Sequence, residues 1–480
     1  MKTYQDLIEA GQAEDKRMDF VHSAIEDHKG SALFQDAVVA YEYNAHKNRT
    51  INQYRKLLYT MAGQAVPDNF SSNWKMACRF FHIFVTQEVQ HLLGNGANWD
   101  KKSTKVAREK FGQDFDTRLQ EIGKDALIGG VAFGFYNLDH IDVFKVTEFV
   151  PLYDEEDGAL KAGIRFWQID DSKPLRATLY ELDGYTEYIW RDGKPEVKNP
   201  KSKYKLKVLE TPADGRVIYD GENYPTFPIV PLWGNPERQS ELVGLREQID
   251  CYDLIKSGFA NDLDDASQIY WTIQNGGGMD DIDLAKFLER MKTVKAAVVE
   301  DTGARAEAHT VDVPFAAREA LLGRIKHDLF VDAMALDPAE IAAGAVTATQ
   351  IKAAYEPLNS KCDEFEYCIL DFLDGLAAVA GIDEYEVTFT RSMVVNTLEQ
   401  VQVLATAANY LDRDYIVERM LETLGDGDLY EDMMKKLEKE EQERMALAMQ
   451  QMAAQAGSQA PDEQGGETDQ ETEENATQGE

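Results

Sequence analysis

The sequence predicts an α+β fold in more than one domain, and three observations carry that prediction. The chain has 480 residues, too many for one hydrophobic core. Its hydrophobic content of 44% and aromatic content of 10% are those of a globular protein that buries a core. Its apolar spacing also changes period along the chain, helical on either side of an alternating stretch between residues 129 and 219.

In chain order, residues 1–60 read as helical and mixed in charge. AVPDNFSSN reads as a turn, after which Ser72 or Asn73 can cap a helix that Gly94 and Gly96 end. Met76, Phe80, Phe81, Phe84, Val85, Val89, Leu92 and Leu93 mark that helix as buried. A second helix is predicted from Ser103 to Leu127 on Phe111, Phe115, Leu119 and Ile122. The strands VAFGFYN, DVFKVTEFVPLYD, LKAGIRFWQID, RATLYELDG, YTEYIWRDG and GRVIYDG follow, with turns such as DEEDG and RDGKP joining an antiparallel sheet. NPKSKYKLKVLETP reads as an exposed basic loop, and FPIVPLWGNP as a proline-stiffened connector.

The stretch from Asn235 to Gln350 organises the rest. One long helix is predicted from Glu237, because Leu242, Leu245, Ile249, Tyr252, Ile255, Phe259, Leu263 and Ala266 fall three or four residues apart. A small module comes next, with NGGGMDD as a turn, DLAKFLERMK as a helix and AAVVED as a strand. Helical spacing resumes through Leu321, Leu322, Ile325, Leu329, Phe330 and Met334, and an Ala/Gly-rich loop, DPAEIAAGAV, ends it. Thr347 and Gln350 have capping-box spacing at the start of a further long helix, in which Pro357 predicts a kink. YEVTFTRS is expected to return to the earlier sheet, two helices follow it, and from Gln451 the composition is that of a disordered tail.

Charge and motifs exclude several functions. A net charge of −36 repels nucleic acid and anionic membranes through its general field and keeps the chain soluble. Cys78, Cys251, Cys362 and Cys368 lack the spacing of a zinc site or a CxxC pair and read as free thiols of a reducing compartment. The N-terminus lacks the apolar core of a signal peptide, and ALIGGVAFGFY is too short to span a bilayer, so a protein made and working in the cytoplasm, or in something assembled there, is expected. No GxxxxGK[ST], HExxH or GxSxG occurs. Asp262, Asp264 and Asp265 precede Asp280, Asp281 and Asp283, but neither group has EF-hand spacing. A solvated acidic face is the simpler reading, and a surface past which a polyanion slides without sticking is another. No catalytic residue, cofactor or metal is therefore expected.

Two stretches, FPIVPLWGNPERQSELVGLREQIDCYDLIKSGFANDLDDASQIY and GAVTATQIKAAYEPLNSKCDEFEYCI, are specific enough to compare. The chain resembles, from Tyr41 to Leu447, the portal (head-to-tail connector) proteins of tailed phages, in the branch typical of long-tailed phages of Gram-positive hosts. The resemblance implies a portal-type fold: an α/β wing, a helical stem, a small α/β clip and a helical crown, assembled as a ring, dodecameric in the particle, at one capsid vertex. It assigns 1–235 to the wing, 236–268 and 315–336 to stem helices, 269–314 to the clip and 337–348 to a tunnel loop. Residues 349–398 become the long wing helix and returning strand, 399–447 the crown and 448–480 an acidic tail. Stem packing falls to Leu242, Leu245, Ile249, Tyr252, Ile255, Phe259 and Leu263. The clip contains Gly276, Gly277, Phe287, Leu288, Val298 and Val299, and the tunnel loop Asp337, Glu340, Ala342, Ala343, Gly344, Ala345, Val346 and Thr347.

The implied partners are further copies of the chain, double-stranded DNA passing without sequence specificity, the terminase large subunit, the major capsid and scaffold proteins and a neck adaptor. No membrane is involved, and the implied location is the virion. Two alternatives are a metal-dependent hydrolase using Asp262, Asp264, Asp265 and Asp280, and another phage structural role such as a minor capsid protein.

Overall fold

The strands predicted between residues 131 and 191 form, but they sort into two antiparallel sheets rather than one. In the computed structural model, the described residues are 1–456 except 12, 60–62, 69–70, 101, 192, 211–217, 267–269, 275–281, 283–285, 287–288, 290–304, 310–313, 340–347, 393–396 and 426. They fall into two units, Met1–Met393 and Val394–Glu480.

The first unit begins with helices α1 (Tyr4–Ala10), α2 (Glu14–Lys29), α3 (Ala32–Asn44) and α4 (Arg49–Gln53), then a hairpin of β1 (Leu57–Tyr59) and β2 (Ala65–Pro67). Helix α5 (Phe80–Leu93), strand β3 (Ala97–Trp99) and helices α6 (Ser103–Phe111) and α7 (Phe115–Gly129) follow. The single helix predicted over 103–127 is thus two, broken at Gly112, whose φ of 86° lies in the left-handed region that glycine tolerates.

Strands β4 (Val131–Asn137), β5 (His140–Lys145), β6 (Phe149–Tyr153), β7 (Leu160–Trp167), β8 (Leu175–Glu181) and β9 (Gly184–Arg191) match the alternating pattern, with DVFKVTEFVPLYD divided between β5 and β6. Beyond them, β10 (Lys194–Ser202), β11 (Lys205–Glu210), β12 (Ile218–Glu222) and β13 (Ile229–Trp233) complete the sheets. One sheet has the order β10-β9-β8-β7-β6, another β13-β4-β5, and β11 pairs with β12. Two predictions fail here. The basic stretch read as a loop contributes to β10 and β11, and the proline-rich connector is β13, with Pro231 paired opposite Phe133. Proline is tolerated there because β13 is an edge strand.

The five-stranded sheet lies between two cores. Val150, Leu152, Ala162, Ile164, Phe166, Leu179 and Trp190 pack under α1 and α2 with Leu7, Phe20, Val21 and Ile25. Phe149 and Tyr180, on alternate positions, point the other way into the main core with Phe133, Phe144 and Phe372. β6 is therefore buried on both faces, which is why its sequence, FVPLY, is apolar throughout.

The remainder of the first unit is α8 (Arg246–Ala266), β14 (Tyr270–Gln274), β15 (Arg305–His309), α9 (Phe315–Asp332), α10 (Ala348–Ala380) and β16 (Val387–Phe389). Helix α10 runs unbroken through Pro357. Strand β16 pairs with β3, not with the main sheets as predicted. The second unit contains α11 (Thr397–Ala407), α12 (Arg413–Leu424) and α13 (Tyr430–Ala456), with Ile416 and Leu421 buried. Helix α13 carries the chain nine residues past the Leu447 boundary (456 − 447), so the stretch read as tail from 448 begins helical.

Candidate functional site

The predicted helix over 236–268 begins only at Arg246. Side chains divert the backbone before it: the Asn235 Oδ1 accepts from the Gln239 amide at 3.1 Å, and the Ser240 Oγ accepts from the Leu242 amide at 3.1 Å. Arg238 and Gly244 both have positive φ, 59° and 85°, which no α-helix accommodates. Leu242 and Leu245 therefore sit in turns, and with Ile249 they are buried in the main core of the same chain.

From Tyr252 onward the helix has two working faces. Asp253, Ser257 and Asn261 repeat every four residues and are all buried. They receive three backbone amides of an extended segment: Cys78 donates to Asp253 Oδ1 at 2.9 Å, Met76 to Ser257 Oγ at 2.9 Å and Trp74 to Asn261 Oδ1 at 2.6 Å. The geometry follows from two repeats. Four helical residues rise about 6 Å, and two extended residues about 6.6 Å, so alternate amides meet successive helical turns. Asn48, itself fully buried, donates to Asp253 Oδ2 at 2.5 Å and to the Cys78 carbonyl at 3.1 Å. Burial raises the Asp253 carboxyl above its usual range, against the hydrogen bonds from Asn48 and Cys78. This ladder is why α5 begins at Phe80 rather than at Ser72 or Asn73: residues 74–78 spend their amides on α8 instead of on a helical turn.

The other face meets α9. The rings of Phe259 and Phe315 pack at 5.9 Å, and Arg318 Nη1 pairs with Asp262 Oδ2 at 2.5 Å. Beyond α8 the chain passes through β14, which pairs antiparallel with β15 over five residues from Tyr270↔His309 to Gln274↔Arg305, and returns along α9. The chain thus makes an out-and-back excursion, out along α8 and β14 and back along β15 and α9.

Both ends of the excursion meet at one half-buried cation. Lys361 Nζ on α10 pairs with Glu88 Oε2 of α5 at 2.8 Å and with Glu241 Oε2, just before α8, at 2.7 Å. It also donates to the carbonyl of Ala333, the C-cap of α9, at 3.4 Å. Burial pulls the Lys361 pKa down, but the two carboxylates outweigh it and hold the ammonium well above its ordinary range. Burial pushes the Glu88 carboxyl up to about 7, opposed by Lys361 and assisted by Glu241. A half-buried lysine between two carboxylates thus keeps its own proton and leaves Glu88, the buried one of the two, short of charge compensation. A carboxyl raised in the folded state contributes stability that is complete below its ordinary value of 4.5 and is lost as pH rises through about 7. Glu88→Gln removes that loss, so the variant is expected to gain on the parent chain by on the order of 2 kcal/mol between pH 5 and pH 8. Thermal melts of both proteins at the two pH values check this; an identical difference at each would contradict it.

With this geometry in place, sequence comparison is decisive. The family profile described as phage portal protein, SPP1 Gp6-like, matches residues 39–446. This chain belongs to that family of phage portal proteins. The portal protein of Clostridium phage phiCD119 is 24% identical over 374 residues, 72% of this chain and 80% of its own. That of Bacillus phage SPP1 is 25% identical over 389 residues, 74% of each chain. The portal family is structural, and its role is the channel for DNA packaging.

The residues read from the sequence fall unevenly in this portal protein. Of the stem residues, Leu242, Leu245 and Ile249 are internal to the chain, Tyr252 packs edge-on against Phe80 at 5.0 Å, and Phe259 meets α9. Ile255 is half-buried and Leu263 exposed. The single apolar stripe predicted from Leu242 to Ala266 is therefore divided, with a polar buried face beside it. Asp337 pairs with Lys326 Nζ at 3.2 Å and accepts from the Ala339 amide at 3.0 Å. Glu340, Ala342, Ala343, Gly344, Ala345, Val346 and Thr347 lie outside the described residues, as do Gly276, Gly277, Phe287, Leu288, Val298 and Val299. The hydrolase alternative is not favoured: Asp262 is held by Arg318, while Asp264 accepts from Ser72 and Trp74. Among the described residues no group of three or more His, Cys, Asp or Glu could hold a metal, and no helix is long and apolar enough to cross a membrane. The ladder and the Lys361 junction were not anticipated. The i, i+4, i+8 spacing of small hydrogen-bonding residues at 253, 257 and 261 was the available signal for the first.

Proposed function

We propose that this portal protein assembles as a ring, dodecameric in the particle, at one vertex of the capsid, and that DNA passes through its centre during packaging and ejection. In this reading the helices α8 and α9 are the stem, 269–314 the clip, 1–235 with 349–398 the wing, 399–447 the crown and 337–348 the tunnel loop. The clip docks the terminase large subunit first and a neck adaptor later, and the wing meets the major capsid and scaffold proteins. Assembly takes place in the host cytoplasm.

One observation carries the reading: the helix pair that leaves the body of the chain and returns to it presents apolar side chains to solvent. Leu263, Phe315 and Leu321 are 43%, 50% and 45% exposed. A ring gives each such surface a neighbour to cover it, since a closed rotational assembly brings one patch of every subunit against the next. The net charge of −36 supports a conduit as well, because an acidic wall does not adsorb a moving polyanion.

Deletion of Ala342–Ala345 tests the loop. The expected result is a ring that still assembles but packages or retains DNA poorly; normal packaging by the deletion ring would show that 337–348 does not line the constriction.

A further inference from the structure

The return of the excursion is held more tightly than its place in the chain requires. Helix α9 ends at Asp332 with a complete left-handed cap: the Met334 amide donates to the Val331 carbonyl at 3.0 Å and the Ala335 amide to the Phe330 carbonyl at 2.9 Å. The left-handed residue of such a cap is usually glycine, yet here it is Met334, with φ of 52°. Two residues on, Gln87 imitates a neighbouring strand: its Nε2 donates to the Leu336 carbonyl at 3.1 Å and its Oε1 accepts from the Leu336 amide at 3.1 Å. The adjacent residue on α5, Glu88, reaches Lys361, which in turn takes the Ala333 carbonyl and Glu241. At the outgoing end, the Glu241 amide donates to the Leu127 carbonyl at 3.0 Å and its Oε1 accepts from Asn235 Nδ2 at 2.8 Å. Gln248 on α8 donates to Asp332 on α9, closing the two ends on each other.

We propose that Lys361 is a positioning residue, a half-buried latch that locks the departure of α8 and the return of α9 to one point on α5 and α10, and so fixes where the chain stands at residues 333–337. The inference rests on the reading of 337–348 as the tunnel loop only for its consequence in DNA passage; the latch itself is a property of one chain. A latch differs from ordinary packing in that one side chain holds two separate elements at once. Release of one cation should loosen both ends together and leave the rest of the unit protected.

Hydrogen exchange on the full-length protein reads this. Lys361→Met is expected to raise exchange by about tenfold or more at both 241–250 and 329–339, because breaking a buried ion pair costs more than the about 1.4 kcal/mol that a tenfold change represents. The amides of the β3–β16 pair should stay as in the parent chain. Gln87→Ala, which removes the two side-chain hydrogen bonds to Leu336, should raise exchange at 334–339 alone, and it decides the matter if Lys361→Met does not fold. Lys361→Arg, which keeps the charge, should restore protection at least in part. A uniform rise across the first unit, a rise at only one end in Lys361→Met, or no local rise in Gln87→Ala would overturn the latch. Assembly of the variants separates this from the ring reading: exchange changes as described in a protein that forms no ring would leave the latch standing and remove its consequence.

Discussion

Phe372→Ala is expected to destabilise the first unit by about 3–5 kcal/mol, the range for emptying a buried phenylalanine site that cannot collapse. The ring is 1% exposed and sits where α10 crosses β4. It fits because position 134 on β4 is glycine: a Cβ built there would lie 2.6 Å from Phe372 Cζ. The seat is reciprocal. Val230 on β13 fills the space left by Gly375 on α10, where a Cβ would lie 2.6 Å from Val230 Cγ1. Two side chains thus enter two glycine notches, one from the helix and one from the sheet. The surroundings cannot follow a retreating ring, since α10 is held at Val230 and at Lys361 as well. Urea unfolding of the variant measures the cost. Gly134→Ala attacks the same seat from the other side by overpacking, at about 1–3 kcal/mol. A cost below about 1 kcal/mol for Phe372→Ala would mean that the ring does not anchor the helix.

Asp253→Ala is expected to cost about 3 kcal/mol, and for a different reason. Its side chain is fully buried, and it accepts from the Cys78 amide and from Asn48 Nδ2, which is fully buried too. Alanine leaves two donors without acceptors in a place that water does not reach, and each such donor costs about 1–3 kcal/mol. Part of the loss is offset because a carboxyl that burial disfavours is removed with it. The extended segment 74–78 then keeps two of the three amide rungs on α8, at Ser257 and Asn261, so proteases should cut it sooner than in the parent chain. An unchanged unfolding midpoint together with unchanged proteolysis would show that the ladder does not hold the segment.

How far these features could be read in advance depends on where their causes lie. The strands from Val131 to Arg191 were legible because alternation is imposed locally by a sheet with an apolar face, and α10 because its apolar residues recur at helical spacing over 33 residues. The start of α5 was not. Met76 and Phe80 are four apart and mimic a helical face, but the amides of Trp74, Met76 and Cys78 are taken by side chains 175 to 187 residues away. The buried stripe Asp253, Ser257, Asn261 went unread for the same reason: polar residues show no burial until their partners are known. β10 and β11 failed on composition, since a run rich in lysine resembles a loop, and on β10 those lysines do face water. Lys361 had no signal at all, because Glu88 and Glu241 are brought to it by the fold alone. The functional class, in contrast, was legible through resemblance, on the stretches 227–270 and 344–369 that contain all of α8 and α10 up to Ile369.

If this portal protein works as a ring around a channel, electron microscopy of the purified full-length protein in negative stain will show closed rings with a stain-filled central hole. A population of single chains that persists at high protein concentration would contradict it.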